Sequence, residues 1–492
     1  MRRLLLLVAL SPYAALAWDY ELTAWRGETV SALLPDYVST GESLADIDLK
    51  VGVAHEVRYI EGFPGETHYR SFADRVVWGE SDEPGPLVVS VAVAETARSG
   101  TYRSGDIVIK VLDRVLPPPD KRKYHLDLWQ HPWSVARYHK VKPFSAEHYA
   151  AMRPLWKMLA DAGARMLTVT LLDRPWNHQC YDAYGTMIRR IRRADGSWRF
   201  DYSVFDEYVR FGRECGLAPG IACYSMCPWE YVLSWEDESG KPCSVKAVPG
   251  SEPYAEYWGD FLVDFQRHLE EKGWLQDAYI AIDERSPDDV RAIAGLLREK
   301  APGLKISLAA NQSPSFFKGI KLHHCCFDLR NLTDELLSEA DERRRKNLLT
   351  TYYVCCGPAT PNTFCMSRLE EAFWLGAYPA MCGLDGFLRW AWNSWPKDPM
   401  RDASSYGHRW WKAGDTFLVY PDGSPSLRFL ELCNGIQAAE KVRILREQGG
   451  SGDGFRDLSR LYDRHAAMSN ACDFVEIKAK TNDIVNRNAR SK

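Results

Sequence analysis

The stretch Ala278-Tyr279-Ile280-Ala281-Ile282-Asp283-Glu284 reads as a short buried β-strand that delivers two carboxyl groups where its apolar run stops. The chain holds six Asp-Glu dipeptides, so the pair means nothing by itself. The other five, Asp82-Glu83, Asp206-Glu207, Asp237-Glu238, Asp334-Glu335 and Asp341-Glu342, sit in polar or helix-like surroundings. Only Asp283-Glu284 follows a strand-like run closely enough for a core to anchor it. Acid–base catalysis needs such anchoring, because a proton donor works only within hydrogen-bond reach of its target.

Around this strand, residues 124 to 445 alternate between strand and helix. The candidate strands are 125–130, 166–172, 219–225, 278–284, 305–309, 321–327, 348–355 and 386–392. Helical patterns separate most of them: 145–162, 205–215, 254–272, 288–300, 333–345, 367–377 and 426–445. The connection 310–320 is too short for a full helix. This is an α/β pattern that fits a (β/α)8 TIM-like barrel with one degraded helix. A doubly wound open sheet is the alternative, but no glycine fingerprint follows the first strand. Upstream, residues 18–116 alternate in short β-rich runs such as Leu87-Val88-Val89-Ser90-Val91, the pattern of a small all-β sandwich. Pro117-Pro118-Pro119-Asp120 reads as a stiff linker, so the barrel domain is expected over 120–445. A glycine-rich hinge opens the tail, 446–492. In it, 455–470 looks helical and 471–492 polar.

Residues 1–17 have the form of a signal peptide. Arg2-Arg3 precede an apolar stretch, and Ala15-Leu16-Ala17 supplies a small-residue cleavage site. The apolar stretch is far short of the ~18 residues of a membrane span, so the protein is expected to be exported, periplasmic or secreted. Sixty-two basic against 66 acidic residues give a net charge of −4, which argues against nucleic acid or an anionic membrane as partner. Eighteen tryptophans and 24 tyrosines offer flat apolar faces of the kind that suit sugar rings. The 13 cysteines form no paired C-x-x-C motif, and the adjacent pairs Cys325-Cys326 and Cys355-Cys356 cannot easily bridge to themselves. His323-His324 is the best metal candidate, but neighbours on a strand face opposite ways, and both read as core and rim residues.

A barrel places its chemistry at the C-terminal ends of its strands. Those ends carry Trp129-Gln130-His131, Asp173 to Gln179, Tyr224-Ser225-Met226, Asp283-Glu284-Arg285, Asn311-Gln312, Tyr352-Tyr353 and Trp390 to Trp395. Nearly every one holds an aromatic, an amide or a carboxylate, a set suited to a ligand with hydroxyls and an amide. Ordinary glycosidases use two carboxyls about 5–5.5 Å apart for retention or about 6.5–9.5 Å for inversion. Adjacent residues do not easily straddle a sugar in that way. Adjacency fits a scheme in which one acid protonates the leaving oxygen while the other holds the substrate's own 2-acetamido group, whose carbonyl oxygen attacks the anomeric carbon.

Six stretches in order resemble the catalytic domain of glycoside hydrolase family 123, the β-N-acetylgalactosaminidases, and related domains of unknown function. They are Leu126 to Pro132 with Val135-Ala136-Arg137, Pro175 to Gln179, Cys223 to Met226, Ile282 to Arg285, Tyr352 to Cys356, and Arg389 to Trp395. The resemblance implies an exo-acting, retaining hydrolase of terminal β-linked N-acetylgalactosamine, working on a glycan or glycoconjugate without metal or organic cofactor. Glu284 would be the general acid, then base. Asp283 would hold the acetamido N–H and stabilise the oxazolinium-like intermediate. Tyr353, Trp392 and Trp176 are candidates for the acetamide and sugar face. Gln179, Asn393, His131 and Asn311 are candidates for hydroxyls, and Trp129 and Tyr224 join the substrate-binding set. Two rival readings fit the same residues. One is a retaining glycosidase with its own nucleophile, Asp173 joining Glu284. The other is a non-catalytic sugar-binding barrel.

Overall fold

The computed structural model describes residues 20–34, 38–41, 43–61, 68–217, 219–406, 411–449 and 453–490. The expected signal peptide, 1–17, lies outside the described residues, as do 450–452 of the expected hinge.

Eight parallel strands form one sheet: His125–Leu128, Met166–Thr170, Gly220–Tyr224, Ala278–Asp283, Lys305–Ala310, His324–Asp328, Leu349–Tyr353 and Gly386–Arg389. Each pairs with its sequence neighbour from the second strand to the eighth, and the eighth pairs with the first, so the sheet curls into a barrel. Closure falls between the first and second strands, where the backbone supplies a single bridge, Leu126 to Ala164. The Gln130 side chain completes the seam. Its Oε1 accepts from Thr168 N at 2.8 Å, and its Nε2 donates to the carbonyls of Leu128 and Met166. One carboxamide thus substitutes for ladder bonds the strands do not make, which satisfies buried backbone groups that would otherwise be orphaned.

The strand residues divide by parity. Ile280 and Ile282 face outward into the helix layer, in one cluster with Val290, Ile293 and Leu297. Ala222, Ala281 and Ala309 face inward with Trp129, Tyr224, Tyr353 and Leu388. Small inward residues leave room at the top of the barrel for large rings and a void. The helices begin where capping chemistry dictates: the hydroxyls of Ser145, Ser286 and Ser426 accept amide N–H bonds from His148, Asp289 and Phe429. The fifth connection holds only the short turn Pro314–Phe317, as its length implies. His324 is buried between Ser307 and Thr351, while the His323 ring accepts from Ile306 N.

Three features were not legible in the sequence. The loops after strands two and three carry a four-stranded sheet of Arg189–Arg192, Trp198–Asp201, Val232–Asp237 and Pro242–Lys246. A helix, Pro132–His139, follows the first strand directly. The tail, read as polar beyond 471, forms a helix, Phe474–Arg490, whose Phe474, Ile477 and Val485 are buried.

The N-terminal region is a small sandwich. A four-stranded antiparallel sheet (Thr29–Leu34, Leu87–Val93, Ile47–Glu61, His68–Trp78) packs on a three-stranded one (Tyr20–Arg26, Ile107–Val115, Gly100–Ser104), sharing a core of Ala24, Val89, Val91, Ile107 and Ile109. Buried ion pairs fasten it to the helix Leu427–Glu447: Arg428 grips Asp74 with two bonds of 2.9 and 2.8 Å, and Lys441 pairs with Glu28. Among the described residues no helix is long and apolar enough to cross a membrane.

Candidate active site

Successive residues on a strand point to opposite faces, so Asp283 and Glu284 would diverge if the strand continued. It stops at Asp283. Glu284 takes a left-handed backbone conformation, φ 48°, with its N–H donating to Ala309 O at 2.8 Å. That turn brings both side chains to one cavity at the C-terminal mouth of the barrel, lined also by Trp129, Gln179, Tyr353 and Trp390. The space there is about 600 Å³ with the solvent at its open mouth included. A left-handed residue other than Gly costs of order 1–3 kcal/mol, and such strain concentrates at functional sites.

Both acids are held by donors. Glu284 Oε2 accepts from Asn311 Nδ2 at 2.9 Å, and Oε1 accepts from the Tyr353 hydroxyl at 2.5 Å. Asp283 Oδ2 accepts from the indole N–H of Trp229 at 3.2 Å. Arg285 lies over the Trp229 ring, 4.3 Å from its centre, and fixes that indole. Burial is the main cause that raises the Asp283 carboxyl, to about 7, and the neighbouring Glu284 charge adds to it; hydrogen bonding from the Trp229 and Trp176 indoles pulls the other way. Burial likewise raises Glu284, opposed by the Tyr353 hydroxyl. The two titrate as a pair, and near neutrality they hold a proton between them.

The other predicted residues divide. Trp129, Gln179 and Tyr353 line the cavity. Trp176 and Tyr224 pack on Trp129, with ring centres 5.3 and 4.6 Å from it, and the Trp176 indole also reaches Asp283. Asn311 touches Glu284 itself. Three residues are placed elsewhere. Trp392 lies beyond the end of strand eight and packs outward on Phe429, fully buried. Asn393 is also fully buried, and its carboxamide bonds the backbone N and O of His131, tying two loops together. The His131 ring stacks on Tyr184 at 3.7 Å, with Nε2 at 2.9 Å from the Asp182 carbonyl, and burial holds it neutral, its pKa lowered to about 3. Asp173, the nucleophile of one rival reading, is exposed and accepts from Thr186 N and Ser234 Oγ. Trp229, which donates to Asp283, and the lining residues Cys355, Cys356, Trp390 and Trp411 are site residues that no sequence signal singled out. Most fall in quoted strand-end or family stretches; Trp411 comes from a long loop with no local signal. Among the described residues no group of three or more His, Cys, Asp or Glu side chains is placed to hold a metal ion.

A barrel whose C-terminal mouth holds two paired, proton-retaining carboxyls beside aromatic rings has the equipment of a glycoside hydrolase. Residues 129–445 match the family model described as the glycoside hydrolase 123 catalytic domain, and the chain belongs to that family. A family 123 glycoside hydrolase from Clostridium perfringens, whose structural study concerns glycolipid glycan hydrolysis, superposes with a TM-score of 0.82 at 24% identity, covering 96% of this chain and 94% of that one. The catalytic domain of a β-amylase from Paenibacillus polymyxa gives 0.37 at 10% identity over 64% of this chain and 98% of its own. No curated protein matches the chain.

Proposed function

We propose that this glycoside hydrolase is exported and exo-acting, and that it releases terminal β-linked N-acetylgalactosamine with retention, using the substrate's own acetamido group as nucleophile. The observation that supports this most is the convergence of two consecutive acids on one cavity, with no third carboxyl among its described lining residues.

In this reading Glu284 donates its proton to the glycosidic oxygen as the bond to the anomeric carbon breaks. The acetamido carbonyl oxygen closes on that carbon, and Asp283 accepts the acetamido N–H. Binding of that N–H favours ionised Asp283, so the shared proton resides on Glu284, where it is needed. Glu284, now a carboxylate, then takes a proton from the water that opens the oxazolinium-like ring. Two inversions restore the anomeric configuration. Trp129, Trp390 and Trp411 offer rings to the sugar face, and the Gln179 carboxamide serves its hydroxyls.

Release of nitrophenol from 4-nitrophenyl β-GalNAc, β-GlcNAc and β-galactoside tests the reading. The GalNAc substrate is expected to be fastest and the galactoside nearly inert. Comparable turnover of the galactoside would exclude an acetamido nucleophile. The two acids also separate by leaving group. Glu284→Gln is expected to slow poor leaving groups by ~10²–10⁴-fold and activated aryl groups far less. Asp283→Asn is expected to slow all acetamido substrates about equally. Small, equal losses from both variants contradict these roles.

A further inference from the structure

The wall of the catalytic cavity contains two consecutive cysteines, Cys355 and Cys356, that the reaction does not use. Their sulfurs are 3.7 Å apart, and Cys356 is exposed. The stretch that carries them is fixed on several sides. Cys355 N donates to Gly357 O at 3.2 Å, and Cys355 O accepts from Asn362 Nδ2 at 3.0 Å. Arg330, held by Asp328 through two bonds of 2.8 and 2.6 Å, packs so closely on Gly357 that a Cβ there would come within 2.7 Å of its Nη1. Two residues before Cys355 stands Tyr353, which donates to Glu284.

We propose that Cys355 and Cys356 form a reversible vicinal disulfide that switches the glycosidase off when a small-molecule disulfide oxidant such as oxidised glutathione is present. The Cys356 thiolate attacks one sulfur of the oxidant and expels one glutathione thiolate. Cys355 then gives up its proton and attacks Cys356 Sγ, expelling the second glutathione. Two protein thiols lose two electrons and two protons; the oxidant gains both and leaves as two thiols.

The geometry assigns the roles. Cys356 is exposed and Cys355 only partly so, and their contact, in which either sulfur can donate, holds the Cys356 thiol below its ordinary value and raises Cys355. The exposed member is therefore the attacking one, and its less exposed neighbour resolves the mixed disulfide. Closing the bridge takes the sulfurs from 3.7 Å to about 2.05 Å. Consecutive Cα atoms lie about 3.8 Å apart, below the 4.4–6.8 Å usual for a disulfide. Such a bridge is strained, and strained, exposed disulfides are the readily reduced, regulatory kind. Its strain falls on a stretch clamped by Asn362 and Arg330, and passes to Tyr353 and so to Glu284. Displacing a catalytic group by about 1 Å costs on the order of a hundredfold in rate.

The inference rests on the barrel mouth being the active site, but its first readout needs no substrate. Reduced protein is titrated with oxidised glutathione, remaining thiols are alkylated, and the peptide spanning 355–356 is weighed. In parallel, hydrolysis is followed with whichever aryl glycoside the reduced enzyme turns over. The expected result is an unalkylated peptide two hydrogens lighter, appearing in step with a rate loss on the order of a hundredfold that dithiothreitol reverses. Cys356→Ser, whatever its own starting rate, is expected to keep that rate in the oxidant. A peptide that stays fully alkylated, a glutathione adduct that persists on Cys356, or a bridge that forms with no loss of rate would each overturn the proposal. A wrong choice of sugar would change which glycoside is cleaved and leave the peptide result untouched.

Discussion

Glu284 is strained in backbone, and both acids of the pair are held where ionisation is unfavourable. Asp283 shows how this bears on stability. Its carboxyl keeps a proton up to about 7 in the folded protein against 3.8 ordinarily. Folding therefore takes up a proton between those values, and stability falls as pH rises through that window. Above it the folded protein carries the cost of a half-buried charge beside Glu284. Asparagine cannot ionise, so Asp283→Asn is expected to be more stable than the parent at pH 8 by ~1–3 kcal/mol and to lose that advantage at pH 4. Urea titrations at the two pH values check this, and an equal difference at both would refute it. Sequence identified this pair from the apolar run before it. It did not show that the two side chains converge, because strand alternation predicts the opposite and a left-handed glutamate leaves no mark in composition.

Among the elements, the eight strands and seven principal helices were legible because long apolar runs and capping residues mark them. What lay outside that signal was short or charged. Arg189-Arg190-Ile191-Arg192 is a strand with one aliphatic residue, and it forms through pairing to Trp198–Asp201 and Val232–Asp237 rather than through its own pattern. His131, Trp392 and Asn393 were read as ligand contacts because they sit near strand ends. The structure spends them on joining loops and filling the outer layer. Gln130 belongs with them as an amide at the mouth that serves the scaffold. Gln130→Ala is expected to leave Thr168 N–H and Met166 C=O unpaired at the seam and to destabilise the protein by ~2–5 kcal/mol. Guanidinium unfolding measures it; a loss within experimental error would mean the seam does not depend on that carboxamide.

For the whole molecule, the proline-rich stretch after the sandwich is held by cations as well as by its own stiffness. Arg122 donates to Pro117 O at 3.0 Å and Arg165 to Asp120 O at 3.0 Å. The deeper tie is Arg428, whose guanidinium reaches Asp74 of the sandwich and the carbonyls of Thr363, Gly414 and Phe417 of the barrel. Arg428→Met is expected to cost ~3–5 kcal/mol, because it strands a buried carboxylate, and a second change, Asp74→Leu, is expected to recover part of the loss. Thermal unfolding of the single and double variants decides it; full additivity would show the pair to be uncoupled.

The two acids are consecutive, Asp283 ending an anchored strand and Glu284 in the turn after it, while Gln179, Trp390 and Trp411 come from segments around the rim. Breathing of that rim can change which sugar fits and how long it stays. It leaves the Cα spacing of the two acids, which a single peptide unit sets, as it is. Preference for a new glycan can therefore drift by replacement of those rim segments, provided that Asn311, Trp229 and Tyr353, which hold the acids, stay in place.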